Sequence, residues 1–221
     1  LRTWDLELVT GAGLIDYYPP GTEPRVTRGT IEGQSYNIYN SGLHYDGESL
    51  LEVYKKGKLV PVVERMPFVE TLQTLDILGL VNWVEIVGYG KGLTTNNFEI
   101  GQEESTPALI CYDSVFSGWV GDFVRNDATF LSLITNDGWW GNTSGHLQHF
   151  AYARLRAVEY RKWVARSANN GTSGIISPDG DVKVATDYWT RTAFTYTIHP
   201  NDTTTFYARF GNWFNWLMLV G

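Results

Sequence analysis

Cysteine is nearly absent from this chain: Cys111 is the only one in 221 residues. A lone thiol excludes an internal disulfide, and with four scattered histidines the sequence shows no metal-ligand cluster. Basic charge is also scarce, with 17 Lys and Arg against 24 Asp and Glu and a net charge of −7. That balance excludes the basic face a nucleic acid requires. It excludes electrostatic docking on anionic lipid as well, so any membrane contact has to be hydrophobic. The start, Leu1-Arg2-Thr3-Trp4, offers neither an initiating methionine nor a signal peptide. At the other end, Trp213 to Gly221 is an apolar stretch too short to span a bilayer, which takes about twenty residues. Both ends are therefore expected to be internal to a longer protein. What the chain does hold is 43% hydrophobic residues and 23 glycines, enough for a packed α/β core. Its nine tryptophans and thirteen tyrosines suit membrane interfaces, and equally cores and ligand pockets.

The residue pattern alternates strands with helices. Leu6 to Ile15 reads as a strand that ends in a polar, proline-containing connection from Asp16 to Arg28. Ser35 to Ser41 and Leu50 to Tyr54 read as a hairpin around Asp46-Gly47. Pro107 to Cys111 is a short buried strand followed by a helix-like stretch to Arg125, and Ala128 to Asn136 is another buried strand. Leu147, Ala151, Leu155 and Val158 have helical spacing within a predicted helix from Gly145 to Ala168, which Asn169-Asn170-Gly171 would close. A second hairpin joins Gly174–Ser177 to Val182–Val184, and Ala193 to Ile198 is predicted as a last strand. Such an order predicts a layered α/β domain with a mixed sheet.

A thiol at the carboxyl end of a buried strand, where a helix begins, can be exposed and have its thiolate favoured. A thiolate nucleophile also needs a proton acceptor, a nearby cation and donors for the oxyanion it creates. Lys55, Lys56 and Lys58 are the candidate cations, and Glu64 and Asp113 the candidate acids. His146 and His149 are spaced for packing or capping and form no evident pair with the thiol.

Several stretches in order carry a family resemblance: Tyr54 to Glu64, Ile110-Cys111-Tyr112-Asp113, and Thr135-Asn136-Asp137-Gly138-Trp139-Trp140-Gly141. Gln148-His149, Ala153 to Glu159, Arg166 to Gly171 and Tyr207 to Trp213 continue it. Together they resemble the carbon-nitrogen hydrolase (nitrilase) superfamily, and within it the extracytoplasmic catalytic domains of the bacterial apolipoprotein N-acyltransferases. The resemblance implies an α-β-β-α sandwich and a Glu–Lys–Cys triad. It implies Cys111 as the nucleophile, Lys56 as the triad lysine and Glu64 as an additional acid that orients Lys56 or the migrating proton. The Tyr112 N–H would be an oxyanion donor, and Asp113, Asn37 and Trp139 would also lie at the substrate.

One departure stands out. The family's general-base glutamate lies well upstream of the lysine, and Leu8-Val9-Thr10-Gly11 offers no acid at that place; Asp5, Glu7, Asp16 and Glu23 are near only in sequence. The resemblance therefore implies a domain over residues 1–212 that is truncated at its N-terminus, with 213–221 starting a membrane-crossing helix. The implied reaction moves a fatty acyl chain from a phospholipid, through a Cys111 thioester, to the N-terminal amine of a diacylglyceryl-cysteine lipoprotein, without cofactor. The implied location is the periplasmic face of the bacterial inner membrane, touched by residues 69–90 and the C-terminal run. A soluble amidase or nitrilase, and an inactive binding fragment lacking the catalytic glutamate, are the alternatives.

Overall fold

The computed structural model of the chain describes residues 6–71, 88–213 and 218. Most of the membrane-facing arm expected over 69–90 and most of the apolar C-terminal run therefore lie outside the described residues. Among the described residues, no helix is long and apolar enough to cross a membrane.

The first sheet is antiparallel and contains β1 (Leu8–Tyr18), β2 (Gly29–Ile31), β3 (Gln34–Tyr45) and β4 (Leu50–Lys55). β3 is its spine, paired along one edge with all of β1 and along the other with β2 and β4. The β3–β4 turn is fixed by Asp46, whose Oδ1 accepts from the N–H groups of Glu48 and Ser49 at 2.8 Å each. β5 (Phe98–Ile100) and β6 (Glu104–Thr106) form a small separate hairpin.

The second sheet is built on β7 (Ala108–Ile110), β8 (Leu131–Thr135), β9 (Val164–Ala168), β10 (Gly174–Ile176) and β11 (Val182–Ala185). β7, β8 and β9 run parallel, and β10 and β11 continue the sheet antiparallel. Helices α1 (Ser117–Arg125), α2 (Ser144–Tyr160) and α3 (Phe206–Phe210) cover its outer face. Val120, Phe123, Ala153, Ala157, Tyr160 and Ala208 from these helices share one core with Leu109, Leu131, Leu133 and Val164 of the sheet. The layers thus run helices, mixed sheet, antiparallel sheet.

The two sheets meet closely where Gly11 of β1 pairs in register with Gly42 of β3. A Cβ on Gly42 would lie 2.4 Å from the Ala108 Cβ, and one on Gly11 would lie 3.3 Å from Ile134 Cγ2. Side chains at this pair would push the sheets apart.

Three expectations need correction. β1 runs on to Tyr18, three residues into the supposed connection, and β2 follows directly after that connection. The helix predicted over 145–168 stops at Tyr160, because Arg161 turns left-handed at φ 53° and Lys162 donates back to Ala157 O at 3.2 Å. No Gly or Pro marks that stop, and the following residues form the parallel strand β9. Residues 193–198 pair with no strand; Trp163 makes ring contacts with Tyr196 and His199 in that stretch.

The helical stripe also faces the opposite way from the usual one. Leu147 and Leu155 are 61% and 50% exposed, while His146, His149 and Arg156 are buried. An apolar stripe normally faces the core, so the polar inward face has a specific use, described below.

The glycine pair is open to test. Gly42→Val should lower stability by about 1–3 kcal/mol in a thermal melt by forcing the sheets apart. Gly13→Ala on β1, where an added Cβ meets nothing within 4 Å, should stay within about 1 kcal/mol of the parent.

Candidate active site

β7 ends at Ile110, and the chain then enters a tight 3-10 turn over Cys111–Val115. Cys111 itself is left-handed, with φ 46°. For a residue with a side chain this conformation costs roughly 1–2 kcal/mol and persists only where surrounding contacts fix it. Ser114 Oγ donates to the Cys111 carbonyl at 2.8 Å, and His149 Nε2 lies 3.1 Å from the same oxygen. Arg156 Nη1 donates to the carbonyls of Ser114 and Val115 at 3.4 and 3.2 Å. The inward polar face of α2 is therefore spent on the backbone of the cysteine turn.

Lys56 follows β4 and is tied by its N–H to Asn40 O on β3 at 2.9 Å. Its ammonium is fully buried and donates to both oxygens of Glu64, at 2.8 and 2.7 Å. Glu64 also accepts from the Val60 N–H at 2.7 Å and from Asn40 Nδ2 at 3.4 Å. The loop carrying Glu64 is closed by a return of the chain. Tyr89 N–H donates to Glu64 O at 2.7 Å, and Arg65 Nη1 donates to Tyr89 O at 2.7 Å. Gly88, at φ 77°, permits this approach, since a Cβ there would sit 2.0 Å from Glu64 O.

Asp113 buckles the lysine loop to the cysteine turn. Its Oδ1 accepts from the Lys58 N–H at 2.7 Å, and its Oδ2 from Tyr54 OH at 2.9 Å and the Ile110 N–H at 3.2 Å. Tyr54 OH accepts in turn from the Gly57 N–H and Trp119 Nε1, both at 3.1 Å. Burial pushes the Asp113 carboxyl up to about 6, against these hydrogen bonds and the pull of Lys56.

Burial is also the largest influence on Cys111 and pushes its thiol up. The Lys56 charge and the Thr135 hydroxyl pull it back, while Asp137 and Glu64 add to the push, and the thiol stays above its ordinary value. The resting group is therefore a thiol that needs a base to become a nucleophile.

The structure brings together Cys111, Lys56, Glu64 and Asp113 from the residues singled out in the sequence. Tyr112 is half-buried, with its ring edge-on to Phe116 at 5.1 Å. Trp139 is 80% exposed. Asn37 is buried away from the ion pair; its Oδ1 accepts from the Arg28 N–H at 2.8 Å and its Nδ2 donates to Val26 O at 3.2 Å. Asn40, three residues along on the opposite face of β3, is the asparagine that touches Glu64. Lys55 pairs with Asp16 instead, and Glu7 with His44 at 3.0 Å. Among the described residues, no three or more His, Cys, Asp and Glu side chains are grouped to hold a metal ion. Sequence reasoning missed Asn40, Thr135, Asp137, His149, Arg156 and Arg166; all but Asn40 stood within the quoted motifs without an assigned role at the site.

The carbon-nitrogen hydrolase family model matches residues 22–208. The chain is 35% identical over 217 residues to an apolipoprotein N-acyltransferase of Chlorobaculum tepidum, covering 93% of this chain and 39% of that protein. It is 30% identical over 181 residues to one of Thermotoga maritima, covering 82% of this chain and 35% of that protein. The chain thus spans under two fifths of the length of these curated relatives. Among solved structures it is similar in fold to a nitrilase-superfamily amidase from Nesterenkonia AN1, with a TM-score of 0.55 at 16% identity over 85% of this chain and 59% of that one. Another structure of that amidase, with a TM-score of 0.54 at 16% identity over the same shares, shows covalent addition of the acetamide moiety of fluoroacetamide at its active-site cysteine.

Two pH measurements check this electrostatic picture. Alkylation of Cys111 by iodoacetamide should rise with pH to a midpoint above the ordinary thiol value of about 8.5, and Lys56→Met should move the midpoint higher. A midpoint below 8 would contradict the dominance of burial. For Asp113, a folded pKa above the unfolded value means stabilisation complete below about 3.9 and lost as pH rises through about 6. Denaturation of the parent and of Asp113→Asn should therefore show the parent gaining on the order of 2 kcal/mol relative to the variant between pH 7.5 and 4.

Proposed function

The chain belongs to the carbon-nitrogen hydrolase family, and from that premise we propose that it is the catalytic part of an N-acyltransferase. Its acyl donor is a phospholipid, and its acceptor is the N-terminal amine of a diacylglyceryl-modified lipoprotein cysteine. The observation that carries the reading is the delivery of the strained Cys111 and the buried Lys56–Glu64 pair to one place by two different sheets.

In the first half-reaction, the Cys111 sulfur attacks the ester carbonyl carbon and the S–C bond forms as the C–O bond to glycerol breaks. The thiol proton passes through a carboxylate to the departing glycerol oxygen. Lys56 and the Tyr112 N–H stabilise the oxyanion between these events. In the second half-reaction, the amine nitrogen attacks the thioester carbon, the C–N bond forms as the C–S bond breaks, and the amine's proton returns to sulfur. The two-oxygen grip of Glu64 on Lys56 supports Glu64 as the group that orients the lysine. The general base is then a glutamate upstream of this chain in a longer protein, placed on the outer face of the bacterial inner membrane.

A phospholipid donor is supported by a cleft of about 240 Å³ lined by the loop that follows Lys56. Lys58, Lys91 and the Arg65–Glu70 ion pair line it together with Leu59, Met66, Phe68 and Phe116, so two further cations beside apolar surface are available to a phosphate-bearing lipid. Phe68 is 79% exposed at its rim, and Val62 and Val63 on the same loop are 74% and 68% exposed. An amidase that passes the acyl group to water is the second reading, favoured by the fold shared with the Nesterenkonia enzyme.

Incubation of the natural full-length protein with phospholipid carrying a labelled acyl chain should add the acyl mass to the Cys111 peptide. A diacylglyceryl peptide should then take up the label as an amide. Cys111→Ser should form no adduct with its melting temperature unchanged, and Lys56→Ala should slow transfer about 10²–10³-fold. Label released only as free fatty acid would favour the amidase, and no adduct at all would leave a binding domain.

A further inference from the structure

A buried chain of charged groups runs from β9 to the backbone of Cys111 and has no part in the acyl-transfer steps above. Arg166 Nη2 bonds Asp137 Oδ2, and Asp137 Oδ1 faces His149 Nδ1 at 2.8 Å. Thr135 Oγ1 donates to the same Oδ1 at 2.9 Å. The Arg166 guanidinium lies over the Phe150 ring, 5.6 Å from its centroid. All of these residues are buried except Phe150, which is half-buried. Burial pushes the Asp137 carboxyl up, but the His149 hydrogen bond and the Arg166 charge outweigh it and hold the group below its ordinary value. Asp137 is thus a fixed carboxylate that sets the plane of the His149 ring.

The other edge of that ring faces the cysteine. Nε2 is 3.1 Å from Cys111 O, which also receives the Ser114 hydroxyl. A carbonyl oxygen and a carboxylate both only accept, so the contacts of Nε2 with Cys111 O and of Nδ1 with Asp137 Oδ1 are both attractive only when both ring nitrogens carry a proton; Ser114 Oγ lies 3.3 Å from Nε2 and Arg166 Nη2 3.4 Å from Nδ1. Among the described residues no peptide bond is cis, so the Cys111 carbonyl and the Tyr112 N–H lie in one plane and point in opposite directions. Pinning the oxygen on the α2 side directs the N–H away from α2. In the first turn of a helix that N–H has no intrahelical acceptor. A hydrogen bond to the carbonyl of a peptide also makes its N–H a better donor.

We propose that His149 is a positioning residue for Cys111: held by Asp137 and Arg166, it donates to the Cys111 carbonyl and so aims and polarises the Tyr112 N–H at the developing oxyanion. This inference rests on the reading of Cys111 as the nucleophile. It gives the buried polar face of α2 a reason to be polar, and it gives a role to a histidine whose spacing suggested only packing or capping.

Two substitutions separate the contacts. Gln in place of His149 keeps an N–H near the Nε2 position, and Asn keeps one near the Nδ1 position. The readouts are single-turnover acylation of Cys111 by p-nitrophenyl butyrate, which passes through an oxyanion, and alkylation by iodoacetamide, which does not. In the natural full-length protein, His149→Asn should slow acylation on the order of 10²-fold and change alkylation less than about threefold, with the melting temperature held. His149→Gln should bring acylation back to within about tenfold of the parent. Unchanged acylation in His149→Asn would overturn the proposal, as would acylation and alkylation falling in parallel or the two variants behaving alike. A parent protein acylated by the ester but inert toward phospholipid would sink the N-acyltransferase reading and leave the positioning role standing. A parent not acylated by the ester would sink both.

Discussion

The left-handed backbone at Cys111 is a local cost of roughly 1–2 kcal/mol in a residue that has a side chain. No single neighbour offsets it. Ser114 and His149 hold the carbonyl, Asp113 holds the preceding Ile110 N–H, and Arg156 holds the two carbonyls that close the turn. These groups come from the turn itself and from α2, so the geometry of Cys111 depends on the helix layer being seated on the mixed sheet. The polar inward face of α2 is the visible result: stability is given up along the helix so that the turn is over-determined.

Electrostatics at the site follow from burial in the same way. An isolated buried charge is costly, and Lys56 is compensated by its hydrogen bonds to both oxygens of Glu64. A buried pair of this kind contributes little net stability, but removing either partner leaves an uncompensated charge. The pair is therefore better understood as a device for keeping a cation beside the thiol than as a source of folding energy. Its effect on Cys111 is smaller than that of burial, which leaves the sulfur protonated at rest. Proton transfer to a base thus becomes a required part of any chemistry there.

The strand endings that carry Lys56 and Cys111 were legible in the sequence, because short apolar runs bounded by polar turns mark buried strands. So was the alternation that builds the layered domain. The orientation of α2 was not, because helical spacing identifies an apolar stripe and cannot say that the turn beside Cys111 claims the polar one. The end of α2 was hidden for a related reason: Arg161 takes a left-handed conformation without the Gly or Asn that usually announces it. At the site, the resemblance pointed to Asn37, whereas the period-two facing of β3 turns Asn40, not Asn37, toward Glu64. Asp137, His149 and Arg166 were present in recognisable motifs, but their joint effect depends on three elements meeting in space.

The return of the chain at Tyr89 to the Glu64 loop has an evolutionary corollary. Residues 64 and 65 are hydrogen-bonded directly to residue 89, so whatever lies between begins and ends at one anchored point. The entropy of closing such an excursion grows only by about 0.6 kcal/mol for each doubling of its length. Its span and composition can therefore change between related proteins while Lys56 and Glu64 keep their places.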